Sequence, residues 1–144
     1  MNETGEGPIR ADGEIFVVGA VVERDGSLFL ARRAPGERHA GAWELPGGKV
    51  ERGETPERAL ERELREELSV EATVSDPLVE SEVVLEGRRF RFLALEAAFD
   101  REPVAGPAHS GFGWFAPDSL PAGKDLAPLD APALEAWRRR VAKS

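Results

Sequence analysis

The chain has 144 residues, a formal net charge of −8 and no cysteine. That length suits one domain around one core, and the acidic balance argues against nonspecific binding to nucleic acid or to an anionic membrane. Disulfides are excluded, no apolar run reaches membrane-spanning length, and the start is acidic and glycine-rich rather than basic and then apolar, so the cytoplasm is the expected compartment.

Residues 1–13 are polar and rich in glycine and read as a flexible tail, which leaves residues 14–144 as the folded domain. Residues 15–22 form a continuous apolar and β-branched run, the pattern of a strand buried on both faces. Asp25-Gly26 marks a hairpin, with a return strand over 28–31 that runs into Arg32-Arg33. Residues 34–42 read as a loop, Trp43-Glu44-Leu45 as a short extended approach, and Pro46-Gly47-Gly48 as a tight turn. Thr55 as N-cap and Pro56 at the first helical position then predict a helix to Leu68. Further on, strands are predicted over 78–85, 89–99 and 112–116. Asp118 is placed to cap a helical turn, and a last helix over 131–142 follows Asp130, itself a candidate cap. Strands and helices in this mixed order imply an α/β or α+β layered domain.

The helix after Thr55 carries the chemistry. At about 100° per residue, Glu63, Glu66 and Glu67 share an arc of roughly 100°, beside a face made by Leu60, Leu64 and Leu68. Like charges three and four residues apart destabilise a helix, so something positive must offset them. A hard divalent cation, Mg²⁺ or Mn²⁺, prefers such carboxylate oxygens.

Gly48, Glu54, Arg62, Glu63, Leu64, Glu66, Glu67 and Val70 stand at the spacing of the Nudix box, and the chain resembles that hydrolase superfamily. One position departs: Ser69 stands where the pattern has glycine, at a helix end that favours glycine. The resemblance implies an α/β/α sandwich around a mixed sheet, with the box as a loop–helix–loop. It implies Mg²⁺-dependent (Mn²⁺ as the alternative) hydrolysis of a nucleoside diphosphate linked to another group. Glu66 and Glu67 are then metal ligands, joined by the Gly48 carbonyl; Glu63 is the general base or a further ligand; Glu54 is a secondary metal or water contact; and Arg62 orients the glutamates. A Glu that many relatives carry before the aromatic strand is Ala108 here, so His109, Glu102 or another carboxylate substitutes, or the ligand set is smaller.

The run LARRAPGERHAGAWELPGGKVERGETPE is similar to the MutT branch, whose members cleave nucleoside triphosphates to monophosphate and pyrophosphate. That likeness implies Arg33 as a phosphate contact, against a surface salt bridge, and Asp130 as a reader of a base amino group such as that of cytosine, against a helix cap. Cytidine nucleotides or damaged nucleotides are the substrates it suggests. Another nucleoside diphosphate derivative such as ADP-ribose, or a nucleotide sensor without turnover, are the alternatives. The expected partner is a small nucleotide, with no nucleic acid and no membrane, for a monomer or homodimer. A polyanion approaching so acidic a chain must meet a local basic patch or arrive with its metal.

Overall fold

The computed structural model describes residues 13–144; apart from Gly13, the predicted tail lies outside the described residues. Two sheets and two α-helices make up the domain, the α/β/α layering implied by the resemblance. The first sheet runs β5 (Gly47–Lys49), β1 (Ile15–Val21), β7 (Arg88–Phe99), β6 (Ala72–Leu85), with β1 and β7 parallel and the outer pairs antiparallel. In the second, β3 (Ser27–Arg33) pairs with β2 (Glu23–Arg24) and β4 (Trp43–Glu44) on one edge and β8 (His109–Phe115) on the other.

β1 is buried on both faces, as its apolar run predicts. Phe16, Val18 and Ala20 face one core with Leu60, Leu64 and Leu68 of helix α1 (Pro56–Leu68). Val17 and Val21, on the alternate positions, belong to a second core with Ala133, Leu134 and Trp137 of helix α2 (Ala131–Ala142). Trp137 is fully buried there and donates from Nε1 to Glu23 Oε1 at 2.9 Å. Among the described residues no helix is long and apolar enough to cross a membrane.

Three boundaries differ from the sequence reading. Gly47-Gly48 is not a turn but the start of β5, paired across from Gly19 and Val18. A Cβ on Gly47 would lie 2.0 Å from the Val18 carbonyl oxygen, so glycine lets the two strands meet. β6 begins at Ala72, through Pro77, because it is an edge strand and its register shifts at Pro77 absorb the missing N–H. β8 starts three residues earlier than the aromatic run, at His109.

Helix α1 matches its sequence signals at both ends. Thr55 Oγ1 accepts from Arg58 N at 3.1 Å, and Ser69 adopts the left-handed conformation, φ 57° and ψ 39°. A side chain there is strained. Ser69→Gly is therefore expected to raise the free energy of unfolding by about 0.5–1 kcal/mol, after the entropic cost of glycine in the unfolded chain. Urea titration of the two proteins measures it, and equal stabilities would show that the Ser69 side chain carries no strain.

Candidate active site

Arg62 sets a positive charge among three of the glutamates, Glu54, Glu63 and Glu66. Its Nε and Nη2 grip the two oxygens of Glu54 at 2.7 and 3.0 Å, Nη1 reaches Glu63 Oε2 at 3.1 Å and Glu66 Oε1 at 3.4 Å, and Nη2 donates to the Lys49 carbonyl at 3.1 Å. This fork ties the β5 end to the helix face. The Arg62 hydrogen bond holds the Glu54 carboxyl below its ordinary range, and Glu54 in turn raises the guanidinium further.

Glu63 and Glu67 lie deeper. A Cβ on Gly48 would come within 2.4 Å of the Glu63 carboxyl carbon, so this glycine leaves the place that the carboxylate fills. Burial pushes the Glu63 carboxyl up, against its hydrogen bond with Glu67 and the pull of Arg62. Glu67 is pushed up to about 9, by burial first, then by Glu63 and the charge of Glu44, with the Gly47 N–H pulling the other way. Its Oε1 is buried without a hydrogen-bond partner.

A cleft of about 530 Å³ opens beside Glu67 and Gly48, within the size range of small-molecule sites. Arg33, Arg38, Lys49 and Arg88 line it, together with the acidic Glu37, Glu44, Glu67, Glu86 and Asp130. Glu44, from β4, stands inside it: Arg33 Nη1 donates to Glu44 Oε1 at 2.9 Å, and His109 Nε2 lies 2.8 Å from Glu44 Oε2. Arg33 also donates to the Arg38 carbonyl and has Glu37 at 3.7 Å. It lines the cleft and is ion-paired there with Glu44 and Glu37.

Asp130 is buried and also lines the cleft. Its side chain makes no helix-cap hydrogen bond, which corrects the cap reading; instead Oδ2 accepts from Leu45 N at 2.7 Å. The Ala127 N–H to Trp43 carbonyl bond, 2.9 Å, pins this segment to the β4 end. Burial raises the Asp130 carboxyl well above 3.8, and Glu44 raises it further, against the Leu45 N–H and Arg33.

Of the site residues named from sequence, Gly48, Glu67, Arg33 and Asp130 line the cleft, while Glu54, Arg62, Glu63 and Glu66 form the network behind it. Glu102 is not the missing carboxylate: it pairs with Arg24 at 3.3 Å on the surface. Ala108 and Glu44 both line the cleft, and Glu44 is bound to His109, the residue next to Ala108. Glu44 escaped the sequence reading because a single Glu in a two-residue strand carries no pattern.

These residues fit a hard divalent cation. Glu67 offers a buried oxygen with no partner on a carboxyl raised by burial and by Glu63, and Gly48 cradles Glu63 beside it. Among the described residues no three acidic or histidine side chains form a ready cage, so main-chain oxygen, water and substrate phosphate would complete the shell, as they do for Mg²⁺.

A family model described as the NUDIX domain matches residues 14–137. The CTP pyrophosphohydrolase of Escherichia coli K12 is 39% identical over 123 residues, 85% of this chain and 90% of that protein. The solution structure of the E. coli ORF135 protein superposes with a TM-score of 0.77 at 38% identity, covering 90% of this chain and 92% of that one. An 8-oxo-dGTP diphosphatase from Proteus vulgaris is 44% identical over a shorter stretch of 58 residues, 40% of this chain and 52% of that protein.

Proposed function

The chain belongs to the Nudix family of hydrolases, and from that premise we propose that it cleaves a nucleoside triphosphate between the α and β phosphates, with a cytosine-type base held in the cleft. The products are a monophosphate and pyrophosphate. Glu44 and Asp130 carry the reading: two carboxyls from distant parts of the chain meet in the cleft, each oriented by donors that leave acceptor capacity for a base. Acceptors there favour a base that presents an amino group, as cytosine does. The similarity to a CTP pyrophosphohydrolase along most of both chains supports the same choice.

The phosphates would lie toward Arg33, Arg38, Lys49 and Arg88, with Glu67 at the reacting end and Glu63 hydrogen-bonded to it. A bound Mg²⁺, or Mn²⁺, would neutralise the phosphate charge and help align the attacking water. Arg62 keeps Glu54, Glu63 and Glu66 in register, and Glu63 would take the proton from water or serve as a further metal ligand.

Asp130→Asn tests the base assignment. The amide oxygen would keep the Leu45 N–H, which puts an NH₂ donor where Asp130 Oδ1 stood. Preference should then move from CTP toward UTP by about ten- to a hundredfold in kcat/KM, the cost of leaving a buried donor or acceptor unpaired. The same variant should lose a pH effect on stability. A carboxyl raised in the folded state holds its proton where the unfolded chain has released it, so wild-type stability falls as pH rises above 3.8, and the amide does not share this. Steady-state rates with CTP, UTP, GTP, 8-oxo-dGTP and their deoxy forms decide the matter. An unchanged ranking would leave Asp130 as a buried strut and overturn the assignment.

A further inference from the structure

We propose that His109 is a positioning residue that sets base preference by holding the Glu44 carboxylate; the proposal rests on the reading of Glu44 as a base acceptor. Glu44 and His109 flank β3 from opposite edges: Glu44 pairs with Ala31 on the β4 side, and His109 pairs with Arg33 on the β8 side. The register shift between Arg32 and Arg33 brings Arg33 opposite His109. Both then close on the same carboxylate, Arg33 at Oε1 and His109 at Oε2, at 2.9 and 2.8 Å.

With Glu44 ionised, Nε2 is the ring nitrogen that carries the shared proton. One donor on each oxygen fixes the plane of the carboxylate and leaves a second lone pair on each oxygen. A fixed acceptor discriminates between bases, whereas a swinging one adapts to either.

Two further observations separate this role from filling space. The His109 side chain is only 2% exposed, yet Nδ1 is buried with no hydrogen-bond partner. An apolar side chain of similar size would avoid that cost, so the ring is kept for its Nε2 bond. The segment carrying it is also clamped to the carboxylate helix. Val104 N donates to the Leu68 carbonyl at 2.9 Å, Gly106 N donates to the Glu67 carbonyl at 3.0 Å, and His109 N donates to the Gly106 carbonyl at 3.2 Å. These bonds satisfy carbonyls at the helix end. They place His109, and through it Glu44, at a set distance from the reacting end of the cleft.

The test compares His109→Gln, His109→Asn and His109→Leu with Glu44→Gln, using CTP and UTP. A Gln amide nitrogen reaches the place of Nε2 and can donate to Glu44; an Asn amide reaches only that of Nδ1. His109→Leu and His109→Asn should lower kcat/KM for CTP about tenfold, mainly through KM, and change UTP little. His109→Gln should keep the CTP-to-UTP ratio within about threefold of wild type. Asn and Gln differ by one methylene, so any general loss of folding is seen in both, and melting temperatures record it. Equal losses for CTP and UTP, or a Gln variant that behaves like Asn, would overturn the proposal. If Glu44→Gln leaves the ratio untouched, the premise about Glu44 fails instead, and the His109 proposal falls with it. If Glu44→Gln shifts the ratio and His109→Leu does not, only the His109 proposal fails.

Discussion

Glu67→Gln is expected to lower turnover at least about a hundredfold and to leave the fold intact. The substitution keeps size and shape and removes one charge. Glu67 is where that charge is least tolerated without a cation, because it is buried beside Glu63, feels Glu44, and has an oxygen with no partner. The metal-free variant should therefore be no less stable than wild type. The two proteins should part when Mg²⁺ is added. An ion that binds only the folded state raises wild-type stability by mass action, and the gain should shrink or vanish in the variant. Excess chelator should silence the wild type. Glu61→Gln, on the same helix but outside the cleft and the Arg62 network, is the matched control and should keep activity. Thermal melts with and without Mg²⁺, alongside turnover, separate binding from chemistry. Near wild-type turnover in Glu67→Gln would place the essential ion elsewhere.

What the sequence made legible was whatever is encoded within about one helical turn or one strand. Thr55, Pro56 and the leucine spacing state helix α1 locally, and the structure has it from Pro56 to Leu68. The unbroken run in β1 states burial on both faces. The Arg62–Glu66 pair was also legible, because its spacing of four residues puts both side chains on one face of the helix. What stayed hidden depends on residues far apart. Asp130 carries every local sign of a cap, but the N–H that claims its carboxylate belongs to Leu45, 85 residues earlier. Glu44 and His109, 65 residues apart, have no meaning until β3 brings their strands together. β5 was hidden for a different reason. Glycines carry no strand signal of their own, and Gly47-Gly48 is extended because β1 takes it as an edge partner.

Those two glycines should fail in opposite ways when a methyl group is added. On Gly47 the new Cβ would meet backbone: the Val18 carbonyl oxygen at 2.0 Å and the Gly19 Cα at 2.9 Å. No side chain can rotate to relieve this, so β5 must lift from β1, a strand that contributes to both cores. Gly47→Ala is expected to cost about 3 kcal/mol, a fall of roughly 10 °C in Tm. On Gly48 the atoms nearest the new Cβ would be those of the Glu63 carboxyl, at 2.4 to 2.7 Å. That group ends a flexible side chain and can swing away, so the fold should hold. The swing would strain its 3.1 Å bond to Arg62 and its contact with Glu67, and would move a carboxylate at the reacting end by an ångström or more. A misplacement of that size costs up to about a hundredfold in rate. Gly48→Ala should therefore melt within a few degrees of wild type and turn over ten- to a hundredfold more slowly, by the same relation. Full activity with an unchanged Tm would show that Glu63 has no need of the place against Gly48. A large drop in Tm for Gly48→Ala would instead show that its network with Arg62 holds β5 to the helix.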